Sequence, residues 1–263
     1  MCLIGIAYRV HKEYPLVIAA NRDEYYSRPA SRMHWWPELP YIFAGRDEVS
    51  KGTWLGVTNT GIISAVTNIR KGEHTGGSYS RGTLVSEALK SASPHAAAAE
   101  AAHQAGKYHP FNLLVGSKDE LYYTSTDSAD VQPVEPGIHV LSNAALNTPW
   151  PKTEQLRSAF AQAFVPQGDV PKPGTLFHFL SDEMKPHDRE LPDTGVGLSF
   201  ERFLSPAFID GETYGTRSQT LIYVHYSGAV DVYEKTRDRA WQTHHEKFDV
   251  VNGGEEVGRK FHS

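Results

Sequence analysis

Apolar side chains recur along the first ten residues, with Leu3, Ile4, Ile6, Tyr8 and Val10 separated by the small Gly5 and Ala7. That is the pattern of a strand. His11-Lys12-Glu13-Tyr14 is polar and turn-like, and Pro15–Ala20 reads as a second, more buried strand. Together they predict an antiparallel hairpin. With the turn centred between Lys12 and Glu13, Cys2 falls beside Arg22 and Asp23, to within about one or two places. Further strands are predicted at Tyr41–Ala44, Thr53–Val57 and Ile62–Val66, with a turn at Asn59-Thr60-Gly61. Helical spacing begins near Ser80 with Leu84, Val85, Ala88 and Leu89. Ser93-Pro94 reads as a cap and first residue of a helix continuing through Ala96–Ala105. Strands follow at Phe111–Gly116, Glu120–Ser125 and Ile138–Leu141. A helix capped by Thr148 opens on Pro149-Trp150-Pro151 and runs to about Phe164, and a short one spans Leu176–Leu180. Residues 185–213 are rich in turn formers and read as loop with at most short pieces of structure, a candidate pocket wall. Thr216–Tyr226 and Ala229–Lys235 form a hairpin around Ser227-Gly228, and His245–Val251 is a last strand. Strands cluster early and late with helices between them. This predicts an α+β fold with two antiparallel sheets between helical layers, a four-layer αββα sandwich, as one domain over 1–252 with a loose tail at 253–263.

Composition narrows the class. The 263 residues are 40% hydrophobic and 22% charged, as expected of a globular protein. No apolar run approaches the roughly 18 residues of a membrane helix, so no integral membrane association is expected. With 26 Lys+Arg against 31 Asp+Glu the net charge is −5, which leaves no basic stripe for nucleic acid. The start, MCLIGIAYRV, has no basic residue before its apolar stretch and is not expected to act as a signal peptide. The single cysteine excludes an intramolecular disulfide and a cysteine-rich zinc site, and favours a reducing, cytoplasmic setting.

That cysteine is Cys2. It reads either as a small buried hydrophobe or as a nucleophile. A small second residue generally allows the initiator methionine to be removed, and Cys2 would then carry a thiol and a free α-amine. The amine has a reference pKa of about 7.7–8.0 and serves as a base. The thiol is then the nucleophile, and an arginine alongside favours the thiolate. The hairpin brings Arg22 there. Asn21-Arg22-Asp23-Glu24 is either a charged turn or a set of groups for the amine and an anionic substrate.

Six motifs occur in order: Met1–Ile4, Ala19–Glu24 with Tyr26–Pro29, Gly52–Gly56, Thr67–Arg70, Leu141–Asn143 with Thr148–Lys152, and Tyr214–Thr220. This set resembles the transport and Golgi organisation protein 2 family, also called the NRDE domain. The resemblance implies the fold of N-terminal-nucleophile hydrolases, closest to their cysteine branch, which holds penicillin V acylase and bile-salt hydrolase. It implies Cys2 as nucleophile, Arg22 and Asp23 as supporting pair, Asn143 as side-chain oxyanion donor and Arg217 as a later arginine, with Asn68 supplying a backbone amide. In those hydrolases the supporting Arg and Asp are separated by two residues; here they are adjacent.

Each residue also has a structural reading: Asn143 as a turn residue, Arg217 as a surface residue at a strand start, Thr53–Gly56 as core strand. Arg81 either meets an anionic ligand or is a solvated first-turn residue. The thirteen histidines are scattered, without HExxH spacing, and neither a P-loop nor a dinucleotide-binding glycine motif is present. Two functions remain in view. One is a cysteine amidohydrolase requiring no cofactor. The other is a carrier of haem or an acyl lipid, a role the resemblance also implies. Its ligand would rest carboxylates on Arg22 or Arg217, with Asn21 among the polar contacts and Trp35, Trp36 or Phe203 on its apolar side. Neither reading bears on oligomeric state.

Overall fold

A computed structural model describes residues 2–72, 77–165, 168–237 and 240–251. The expected tail at 253–263 and the fate of Met1 lie outside the described residues. Six strands make one antiparallel sheet: β1 (Cys2–Tyr8), β2 (Leu16–Tyr25), β10 (Gly137–Leu141), β11 (Tyr214–Val224), β12 (Ala229–Arg237) and β13 (Trp241–Asp249), in the order β10-β1-β2-β11-β12-β13. Seven make the other, in sequence order: β3 (Ala30–Trp36), β4 (Leu39–Asp47), β5 (Leu55–Thr58), β6 (Ile63–Asn68), β7 (Phe111–Gly116), β8 (Leu121–Ser125) and β9 (Ser128–Pro133). The helices are α1 (Arg81–Lys90), α2 (Pro94–His103), α3 (Pro151–Ala163), α4 (Pro173–Leu180) and α5 (Leu198–Phe203).

Strand alternation explains the layering. Ile4, Ile6 and Ile18 of the first sheet meet Phe43, Leu55 and Leu114 of the second in the central core. The opposite face of the first sheet, with Leu3, Ala7, Val17 and Ala19, packs on Leu156 and Phe160 of α3 and Leu176 of α4. The outer face of the second sheet is covered by α1 through Leu84, Val85 and Leu89, and by α2 through Ala97 and Ala98. The result is the αββα sandwich. Gly5 is needed for close approach: a Cβ there would lie 2.7 Å from Cζ of Phe160, a fully buried ring.

Local signals are obeyed at α1, where the Ser80 side chain accepts from the Gly82 N–H, and at α2, where Ser93 accepts from Ala96. Gly61, at φ +84°, makes the β5–β6 turn. Several expectations are corrected. Strand β2 does not stop at Ala20 but runs through Asn21–Glu24, because β1 and β11 pair with it on both sides. Strand β3 was not expected: its pairing with β4 slips twice, which breaks the alternation. Strand β9 is a polar edge and carries no apolar period. Thr148 does not cap α3; the helix begins at Pro151 after Trp150, and the Thr148 carbonyl instead accepts from the Thr153 hydroxyl.

Phe160→Ala is expected to lower stability by about 3–5 kcal/mol in a urea titration, and Gly5→Ala by about 1–3 kcal/mol through overpacking against the same ring. Wild-type stability for either variant would show that α3 is not anchored at this point.

Candidate functional site

Cys2 opens β1 and pairs with Arg22 on β2, the level the hairpin predicts. Even-numbered residues of both strands face the core between the sheets, so the Cys2 thiol and the Arg22 side chain share that face. Cys2 and Arg22 are buried, at 8% and 6% exposure. They line a cavity of about 360 Å³ with Asp23, Arg28, Asn68 and Arg81. On β10 the last pair is Ile4 with Leu141, and Asn143 follows two residues beyond the end of this ladder.

Charge in the cavity is organised by Asp47 at the end of β4. Its carboxylate accepts from Arg28 Nε and Nη2 at 2.6 and 3.1 Å and from the backbone N–H groups of Val49 and Ser50 at 3.1 and 2.8 Å. Arg22 Nη2 lies 3.5 Å from the same carboxylate. Burial would raise the Asp47 pKa, but the Arg28 hydrogen bonds, the Ser50 N–H and the charges of Arg28 and Arg22 outweigh it and hold it below the ordinary range. The Arg22 guanidinium also lies over the Trp54 ring at 4.1 Å. Trp54 can sit there because residue 45 is glycine: a Cβ would come within 2.4 Å of the indole.

Burial pushes the Cys2 thiol pKa up, and Asp23 adds to the rise while Arg22 opposes it. The Asp23 carboxyl is likewise raised by burial, against the pull of Lys152, the Thr216 hydrogen bond at 2.7 Å and Arg22. Lys152 is buried and donates to the Leu204 carbonyl at 2.8 Å. Burial lowers its pKa to about 8, with Asp23 favouring the charged form. Arg81 donates to the Pro110 carbonyl at 3.1 Å and has no carboxylate partner among the described residues, so its charge is free for an anion.

Other candidates fall elsewhere. The Asn143 amide donates to the Asn68 carbonyl at 3.0 Å, directly behind the cavity wall. Arg217, at the β11 bulge, donates to the carbonyls of Tyr25 and Arg28 and lines an adjoining chamber that shares Arg22 and Trp54 with the first. Asn21 points to the helical side, donating to the Leu180 and Ala207 carbonyls at 2.8 and 2.7 Å, and is not placed to touch a ligand in the cavity. Trp36 is buried and donates to the Ala44 carbonyl at 3.2 Å. Trp35 packs on Phe43 and Phe248 and donates to Glu246 at 3.0 Å, so neither indole faces Cys2. Phe203 packs on Tyr214. The turn-rich 185–213 segment does form a wall: Val196, Phe200 and Leu204 border a hollow with Asn68 and Arg81. A buried ion pair, Arg70 to Glu201 at 3.0 Å, holds α5 in place. Reasoning from sequence alone missed Asp47, Lys152 and the position of Trp54. Lys152 and Trp54 lie inside quoted motifs, but only packing shows what they touch. No helix among the described residues is long and apolar enough to cross a membrane.

Two antiparallel sheets between helical layers, with a cysteine opening a central strand beside an arginine, define the N-terminal-nucleophile-hydrolase class of fold. A C2A mutant of the conjugated bile acid hydrolase of Clostridium perfringens superimposes with a TM-score of 0.52 at 8% identity, over 99% of this chain and 100% of that one, a likeness of fold. The chain belongs to the Transport and Golgi organisation 2 family, whose family model matches residues 1–239. The mouse Transport and Golgi organization 2 homolog is 30% identical over 258 residues, covering 90% of this chain and 93% of its own. The human homolog is 30% identical over 240 residues, covering 85% and 87%.

Asp47→Asn is expected to lower stability by about 2 kcal/mol, less than a fully buried pair because the Arg28 side chain is 34% exposed. The Asp47 pKa is depressed, so its contribution is present above the ordinary carboxylate range and is lost as pH falls through the depressed value. Chemical denaturation across that acid range should show a shallower loss in the variant; superimposable curves would refute the role.

Proposed function

We propose that this protein is a cysteine amidohydrolase acting on small anionic amides, with Cys2 as nucleophile once Met1 is removed. The observation that carries the reading is the buried Cys2–Arg22 pair in the wall of a cavity rich in arginine. The freed α-amine takes the thiol proton, the Cys2 Sγ adds to the amide carbon, and the oxyanion draws on a backbone N–H of the cavity wall, with the Asn143 amide bracing that wall through the Asn68 carbonyl. The C–N bond then breaks and the amine leaves with the proton. Water hydrolyses the acyl thioester, releasing the acid and restoring the thiol. Arg22 supports the thiolate against the cost of burial, and Arg81 receives the substrate's anionic group. Asp23, with Lys152 behind it, steadies the strand end that carries the amine. Haem or acyl-lipid carriage by this pocket is the weaker reading, because Trp54 and Val66 are the apolar members of a lining otherwise made of polar or charged side chains and a glycine.

Intact mass spectrometry of untagged protein incubated with N-acyl amides is expected to show loss of one methionine and an acyl adduct on Cys2. Cys2→Ser should reduce turnover by roughly a thousandfold or more. A residue added before Cys2 should abolish it, and kcat/KM should rise with pH through about 7–8 as the amine loses its proton. Unchanged turnover in Cys2→Ser, or activity with Met1 retained, would sink the assignment.

A further inference from the structure

The inner face of the six-stranded sheet turns from apolar to polar along one line. Strand registers set Cys2, Arg22, Ser218, Thr236 and Gln242 in a single row across β1, β2, β11, β12 and β13. The next row inward runs Ile4, Ala20, Thr220, Glu234 and His244. One end of this shelf is the Cys2 cavity. The other floors the adjoining chamber of about 500 Å³, bordered by Ser31, Trp54, Arg217, Ser218, Glu234 and Thr236. Arg22 and Trp54 line both spaces, so their stacked side chains form the partition.

The Cys2 chemistry makes no use of Glu234, whose exposure is 2%. Its Oε2 accepts from the Met33 N–H at 2.7 Å, while its Oε1 is buried without a hydrogen-bond partner, as is the hydroxyl of Ser218. Buried polar atoms left unpaired carry a free-energy penalty that a ligand's hydrogen-bond donor would remove. The charge above them is positive. Arg237 is matched by Asp210, but Arg217 donates to two backbone carbonyls, and Arg22 meets Asp47 only at 3.5 Å. A ligand that suits both halves carries a carboxylate for the guanidiniums and, close beside it, a donor for the floor.

We propose that this second chamber binds an amino-acid-like ligand, its carboxylate on Arg22 and Arg217 and its amine donating to Glu234 Oε1. The assignment does not depend on hydrolysis at Cys2. Burial raises the Glu234 carboxyl to about 7, against the Met33 N–H and the charges of Arg32 and Arg22. Arg217 on β11, His34 on β3, and His244, His245 and Glu246 on β13 are the other charged or titratable groups bordering the spaces Glu234 lines, with Arg237 on its own strand. An ammonium group requires the ionised carboxylate, so binding releases a proton. Affinity then rises by up to about tenfold per pH unit below 7 and levels off above it.

Calorimetric titration of the untagged protein with free α-amino acids, their N-acetyl derivatives, acetate and inorganic phosphate tests this. Amino acids are expected to bind best, and acetate and phosphate at least about tenfold more weakly. Glu234→Gln should weaken amino-acid binding by about ten- to a hundredfold and remove its rise with pH, and Ser218→Ala gives a milder loss in a variant that leaves the charge intact. Cys2→Ala should bind as wild type, which separates this site from the proposed hydrolysis. Binding of acetate or phosphate as tight as that of every amino acid, wild-type affinity in Glu234→Gln, or no binding at millimolar ligand would each overturn the proposal.

Discussion

The register that sets Cys2 level with Arg22 is the constraint on which the site depends. It is held from both sides, by β1 and by β11, so Arg22 sits inside a sheet rather than on a loop. A slip of one residue would move Cys2, Arg22 and Ser218 to the helical face and bring Leu3, Asn21 and Gln219 to the inner one. The apolar core fixes that register firmly, because Ile4, Ile6, Ile18 and Ile222 would all leave the inter-sheet space in the same slip.

The same alternation divides the chemistry between two faces. Arg22 looks between the sheets toward Trp54 and Asp47, while its neighbour Asp23 is bound to Thr216 and faces Lys152 under the helices. Adjacent residues in a strand point to opposite sides of a sheet, although at this strand end both still border the Cys2 cavity. This gives a physical sense to the Arg-Asp adjacency of the motif: the arginine tunes the cavity, and the aspartate secures the strand end from behind. Asp47 supplies the counter-charge that lets two arginines approach a buried thiol without repelling each other.

The two cavities follow from where the core ends. Along the inner face of the first sheet, isoleucine, alanine and valine give way to cysteine, arginine, serine and glutamate over one pair of rows. Beyond that line the sheets are held apart by the stacked Arg22 and Trp54 side chains rather than by close apolar contact.

Much of this was legible in the chain. The hairpin, its approximate register, the helix start near Ser80, the cap at Ser93 and the sandwich of two sheets follow from alternation, turn residues and capping chemistry, all of which act over a few residues. Strands β3 and β9 were hidden, because a slipped ladder and a polar edge erase the period of two. The places of Asn21, Trp35 and Trp36 were decided by packing that no local pattern encodes: Asn21 is taken up by carbonyls of Leu180 and Ala207, more than 150 residues away. Trp54, Lys152 and Glu234 gained their surroundings in the same way, from Gly45, from Asp23 and from Met33. Local propensity therefore determined most of the strands, the Ser93 cap and the Cys2–Arg22 meeting. Which charges oppose one another inside the cavities was decided only by tertiary structure, because burial and partnership are properties of the assembled layers.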